Sequence, residues 1–179
     1  MARLNSKALR VALYLGAPLT VLALFIALFY VFELRINLTN SLPYGLYRLT
    51  TPDQAKFVSF CTPNLPDGSS AYSRGYTIAG VCPDGGSRLL KPIAAYPGDT
   101  VFISPAGVAV NNIVLANSAP IRLDGRGRSL PVIDLPSSTV PSGFYYVVSS
   151  HHKGSFDSRY FGALSLSNIN EYLIDFATF

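Results

Sequence analysis

The first 32 residues contain no aspartate or glutamate, and residues 11–32 carry no charge of either sign. The whole chain has 14 Lys+Arg against 10 Asp+Glu. Three of those cations, Arg3, Lys7 and Arg10, precede the uncharged run, so the balance beyond it is 11 basic to 10 acidic. The net charge of +4 is therefore largely a property of the N-terminal tail, and no nucleic-acid partner is expected from it. Cysteine is scarce, limited to Cys61 and Cys82. A zinc site would need further ligands at short spacing, and none is near, so neither a metal nor any other cofactor is expected. After residue 32 no long segment repeats its apolar residues at helical spacing, and there is no internal repeat or low-complexity tail.

What is present starts with the uncharged run VALYLGAPLTVLALFIALFYVF at 11–32. As a helix it would extend ~33 Å, against a bilayer hydrocarbon core of about 30 Å. Cations on its N-terminal side place residues 1–10 in the cytoplasm. A cleavable signal peptide is the alternative. However, its apolar core is usually only ~7–15 residues, and the run is followed by Glu33-Leu34-Arg35-Ile36, not by small residues. Pro18 permits a kink without forbidding the span. The expectation is a cytoplasmic tail (1–10), a single transmembrane anchor (11–32) and an exported domain (33–179). The two cysteines lie in the exported part, where an oxidising compartment favours a Cys61–Cys82 disulfide over two buried thiols. On the chain-entropy account that bond contributes ~3 kcal/mol.

The exported part alternates short runs of Val, Ile, Tyr and Phe with clusters of Pro, Gly, Asn and Asp. Strands are expected at 44–50, 56–62, 88–95, 100–104, 108–115, 144–150 and 172–177, with turn signals at Ala106-Gly107 and Asn111-Asn112. The stretches 64–86 and 124–138 read as surface loops. The fold class is mostly β: one N-terminal transmembrane helix followed by an antiparallel, partly closed β-domain.

Three segments carry candidate chemistry. Extended, residues 37–41 place Asn37, Thr39 and Ser41 on one face, and Pro43 and Gly45 then bend the chain. A serine before a tight turn can offer both its hydroxyl and its N–H to one carbonyl. Asn37-Leu38-Thr39 also matches a glycosylation sequon. Next, Lys91 is the one charge in Leu89-Leu90-Lys91-Pro92-Ile93-Ala94-Ala95, before a Pro97-Gly98-Asp99 turn. It either snorkels to solvent or sits in an apolar site, where burial disfavours the ammonium form. Last, Ser155, Asp157, Ser158 and Arg159 lie in a short polar run before Gly162. His151 and His152 precede it and read as exposed loop residues. Taken singly, the segments are better satisfied by ordinary polar decoration, a snorkelling lysine and a turn with an ion pair than by catalysis.

In this order the three segments resemble the type I signal peptidases. The short anchored chain with Asn-x-Thr-x-Ser-x-Pro-x-Gly-x-Tyr at 37–47 is similar, more specifically, to the conjugative-transfer (TraF-type) signal peptidases. The resemblance implies a signal-peptidase-like β-domain in the periplasm, held to the bacterial inner membrane. It implies a Ser–Lys dyad with Ser41 as nucleophile and Lys91 as general base. The Ser41 N–H and the Thr39 hydroxyl would form the oxyanion hole. Ser155 would orient the lysine, with Asp157 and Arg159 as structural support.

Departures from the general signal peptidases point to the specialised relatives. Leu42 stands where those enzymes have Met, His151-His152-Lys153 replaces their Gly-Asp-Asn-Arg, and a single spanning segment is present. The implied partners are the lipid bilayer and a precursor protein such as a conjugative pilin subunit, cut at small residues. In some relatives the acyl-enzyme is captured by the substrate's own N-terminus, giving a cyclic product. Two rivals stand beside this reading. A LexA-type self-cleaving protease lacks room here for its DNA-binding domain. A catalytically silent channel component need not keep Ser41, Lys91 and Ser155 together.

Overall fold

The computed structural model describes residues 6–179, with side chains in the first helix described from Tyr14 onward. Residues 1–5 of the expected cytoplasmic tail lie outside the described residues. The chain divides into two units after Arg35. In the first, helix α1 runs Ser6–Val31 and includes Pro18. Its segment Tyr14–Val31 is long and apolar enough to cross a membrane, with a mean hydropathy of 2.1. Pro18 cannot donate to the helical ladder. Two residues on, Thr20 turns its hydroxyl back to the Gly16 carbonyl at 2.9 Å. The helix closes with Phe32 N–H on Leu28 O, and Glu33 then takes the left-handed conformation (φ 51°) that usually falls to glycine at a helix end.

The second unit is built on two antiparallel sheets. The larger takes its strands from β1 (Leu34–Asn37), whose first two residues fall before the division, and from β2 (Gly45–Leu49), β3 (Phe57–Phe60), β4 (Leu89–Ala95), β9 (Phe144–Val147), β10 (Leu164–Ser165) and β11 (Ile169–Thr178). Their order across the sheet is β1-β2-β11-β3-β4-β9-β10. The smaller sheet, β7-β6-β5-β8, comprises β5 (Thr100–Ser104), β6 (Gly107–Val110), β7 (Ile113–Val114) and β8 (Leu135–Thr139). A single helical turn, α2 (Ser158–Phe161), follows β9.

β9 explains how two sheets share one interior. Tyr145 and Val147 enter a cluster with Val58, Phe60, Tyr160 and Leu164. The alternate residues Tyr146 and Val148 enter a second cluster with Ala95, Val101, Ile103 and Val108. A strand's two-residue period sends successive side chains to opposite faces, so a strand apolar on both faces is buried on both. Each fully buried Val, Leu or Phe side chain contributes about 1.5–3 kcal/mol.

Several sequence expectations need correction. The run 108–115 is two strands, because Asn111 and Asn112 both adopt positive φ (49° and 67°) and reverse the chain in a tight hairpin. Loop 124–138 gives up its end to β8, which pairs with β5 despite Pro136 because it lies at the sheet edge. The last strand is longer than 172–177, since β11 pairs with β2 along one edge and β3 along the other. Segment 64–86 is not purely surface: Leu65, Ala71 and Cys82 are buried.

Candidate active site

Residues 37–41 are not extended throughout. β1 ends at Asn37, and Ser41 sits in a turn. The cause is the Asn37 side chain, which is buried and folds the following residues around itself. Its Nδ2 donates to the carbonyls of Thr39, Leu42 and Pro43 at 3.0–3.2 Å, and its Oδ1 accepts the Thr39 N–H and hydroxyl. An amide so engaged leaves no place for a glycan, which removes the sequon reading. From below, Leu42 packs with Tyr47 and Leu173, and the Tyr47 hydroxyl donates to Pro43 O at 2.8 Å.

Lys91 lies in β4 opposite Val58 of β3 and is only 3 % exposed. It does not snorkel. Its Nζ lies 2.5 Å from Ser41 Oγ and 2.9 Å from Ser155 Oγ, and the two serine oxygens are 3.4 Å apart. Burial pushes the Lys91 amine down to about 8; Asp157 opposes that shift and Arg159 adds to it. Among the described residues no acceptor is bonded to the Ser41 N–H.

Beneath this group lies a fully buried ion pair. Arg159 Nε and Nη2 reach the two Asp157 oxygens at 2.7 Å each, a bidentate geometry suited to burial. Asp157 also caps α2 by accepting from Arg159 N–H. Arg159 Nη2 donates to Ser155 O at 2.9 Å, which fixes the backbone that carries the lysine's neighbour.

A cleft of about 590 Å³ opens over Ser41 and Lys91, with walls that include Leu38, Ile78, Leu89, Ile121 and Phe156. Its rim joins the two long loops. The Tyr76 hydroxyl donates to Asp124 at 2.7 Å, Arg128 pairs with the same carboxylate, and the Tyr76 ring packs on Phe156. Cys61 and Cys82 form a disulfide that ties the end of β3 to the loop supplying Tyr76 and Ile78.

The structure thus brings Ser41, Lys91 and Ser155 together and sets Asp157 and Arg159 directly behind them. The Thr39 hydroxyl is directed elsewhere, donating to Asn37 Oδ1 at 2.7 Å. His151 and His152 are exposed. Sequence reasoning missed the tethering role of Asn37, and it missed Ser149, whose Oγ donates to Ser41 O at 2.5 Å. Asn37 acts on the six residues that follow it, whereas Ser149 carries no local signal, because its partner is brought to it by the fold from 108 positions away.

The sequence profile of the family described as Signal peptidase, peptidase S26, matches residues 9–172. The chain belongs to this signal peptidase family. Among its relatives, the plasmid transfer protein TraF of Escherichia coli is 38% identical over 137 residues, covering 75% of this chain and 77% of that protein. The probable conjugal transfer protein TraF of Sinorhizobium fredii is 35% identical over 139 residues, covering 75% and 72%. Among solved structures, a signal peptidase I from Enterococcus faecalis is 22% identical, with a TM-score of 0.38 over 70% of this chain and 99% of that one.

Proposed function

We propose that the chain is a membrane-bound serine endopeptidase that matures a membrane-held precursor, such as a conjugative pilin subunit, through a Ser41–Lys91 dyad. The observation that carries this reading is the buried Lys91 amine, 2.5 Å from Ser41 Oγ and lowered to about 8. Membership of a peptidase family and relatives named for plasmid and conjugal transfer support it.

In the proposed reaction the neutral Lys91 amine accepts the Ser41 proton as Oγ attacks the scissile carbonyl. The Ser41 N–H donates to the developing oxyanion. Thr39 joins it by turning its hydroxyl away from Asn37; a hole donor of this kind is commonly worth roughly 10²–10³ in rate. The Lys91 ammonium then protonates the leaving amine, and the acyl group stays on Ser41. A water activated by the neutral amine releases the acid. An incoming N-terminal amine instead closes a peptide bond and gives a cyclic product. The apolar walls near Ser41 suit small side chains beside the scissile bond. By the excess of cations before residue 11, the anchor holds its N-terminus in the cytoplasm and the domain in the periplasm.

The test is to incubate the detergent-solubilised chain with a candidate pilin precursor, beside Ser41→Ala and Lys91→Ala. Processing by the wild type alone is expected, and equal processing by all three overturns the dyad. The product's mass separates hydrolysis from cyclisation by one water.

A further inference from the structure

Ser41 lies in a turn, so no strand partner fixes its carbonyl. The Asn37 amide holds the carbonyls of Thr39, Leu42 and Pro43, bracketing Ser41 but leaving its own carbonyl free of that clasp. Ser149 takes it. This residue lies two positions past the end of β9, is 0 % exposed, and donates from Oγ to Ser41 O at 2.5 Å across 108 positions of sequence. Its own backbone is held in turn, because its N–H donates to Asp157 Oδ2 at 3.0 Å. The His151 N–H donates to Ser149 Oγ at 3.2 Å, which leaves the hydroxyl proton committed to Ser41.

The opposite side of the same ion pair leads to the lysine. Arg159 donates to Ser155 O at 2.9 Å, and Ser155 Oγ lies 2.9 Å from Lys91 Nζ. Both dyad members therefore hang from Asp157–Arg159 by separate arms, the lysine through Ser155 and the serine through Ser149.

We propose that Ser149 is the positioning residue for the nucleophile, holding the Ser41 main chain at the separation at which its Oγ meets Lys91. The inference rests on the dyad reading above and adds a residue that reading does not contain. Rotation of the Ser41–Leu42 peptide re-aims the segment bearing both the attacking Oγ and the oxyanion N–H. A misplacement of about 1 Å at a reacting centre commonly costs on the order of 10²-fold in rate.

The experiment uses the full-length chain in detergent and an internally quenched peptide with an Ala-x-Ala site. It compares wild type, Ser149→Ala and Ser149→Cys, with a melting curve for each. Ser149→Ala is expected to lower kcat roughly 10- to 100-fold with KM little changed. The pH midpoint of kcat stays where it was, because Lys91 and Ser155 are untouched. Ser149→Cys keeps the size and a weaker donor, so its kcat falls between the two; it carries the test if the alanine variant does not fold. A folded Ser149→Ala or Ser149→Cys with wild-type kcat overturns the inference, as does a pH midpoint that moves with the substitution. A folded wild type that leaves the peptide uncut instead counts against the dyad reading itself, and the inference falls with it.

Discussion

Val58 of β3 stands directly opposite Lys91 of β4 in the antiparallel register, and that pairing fixes the β-carbon of the buried lysine. From there its amine extends to Ser41 Oγ, 50 positions earlier in the chain, and to Ser155 Oγ, 64 positions later. The lysine is held by rigid strand on one side and by two serines from loops on the other.

Catalysis should follow the deprotonation of this amine. Burial holds Lys91 down at about 8, and in the proposed dyad the neutral form is the base. Activity on an Ala-x-Ala peptide is expected to rise about tenfold per pH unit below that value and to level off above it. A rate flat from pH 6 to pH 9, measured where the protein stays folded, counts against Lys91 as base.

The same burial weakens the fold. Lys91 is lowered from 10.5, so between about 8 and 10.5 the unfolded chain binds more protons than the folded one, and stability rises with pH through that window. At pH 7 both states are protonated and the full cost applies, about 3 kcal/mol. Lys91→Met is therefore expected to melt higher than wild type at pH 7. The gap should narrow by pH 10.5. Equal melting temperatures across the range would contradict this.

Asp157→Ala strands the Arg159 guanidinium in a site with no exposure. Removing one partner of a buried pair typically costs about 3–5 kcal/mol. Guanidinium titration of the variant should show a midpoint reduced accordingly. A loss below 1 kcal/mol, as for an exposed pair, would mean that solvent reaches Arg159.

Reducing Cys61–Cys82 releases a loop closed over 21 positions and should lower stability by about 3 kcal/mol. Since that loop carries Tyr76 and Ile78 on the cleft wall but neither Ser41 nor Lys91, KM should rise more than kcat falls. Comparing kinetics with and without reductant, at a temperature where both forms remain folded, checks the split.

A chain starting at residue 33 is expected to retain activity on the soluble peptide and to lose most of its rate on a membrane-embedded precursor. Sharing one bilayer raises effective concentration. Equal losses on both substrates would assign the helix a role in folding.

Local physics accounts for what the sequence alone determined. The apolar span needs only its length and composition, and α1 follows it. The strand at 100–104 follows from the β-branched Thr100, Val101 and Ile103 between turn residues, and the Asn111-Asn112 reversal from the tolerance of Asn for positive φ. Lys91 stood out as the one charge in an apolar run, and Ser41 and Ser155 by standing with it in an order shared with a known family.

The tertiary structure decided whether those residues meet. A lysine between Leu90 and Pro92 snorkels or is buried according to what lies across the sheet, and the pairing of β3 with β4 is a long-range choice. Asn37 read as one polar residue in a strand, until its amide bent the next six residues into a turn. Ser149 had no signal at all, because a hydroxyl's role depends on the carbonyl it meets, and that carbonyl arrives from 108 positions away. Periodicity and turn chemistry reach a few residues along the chain; hydrogen bonds between distant segments exist only once the sheets have closed.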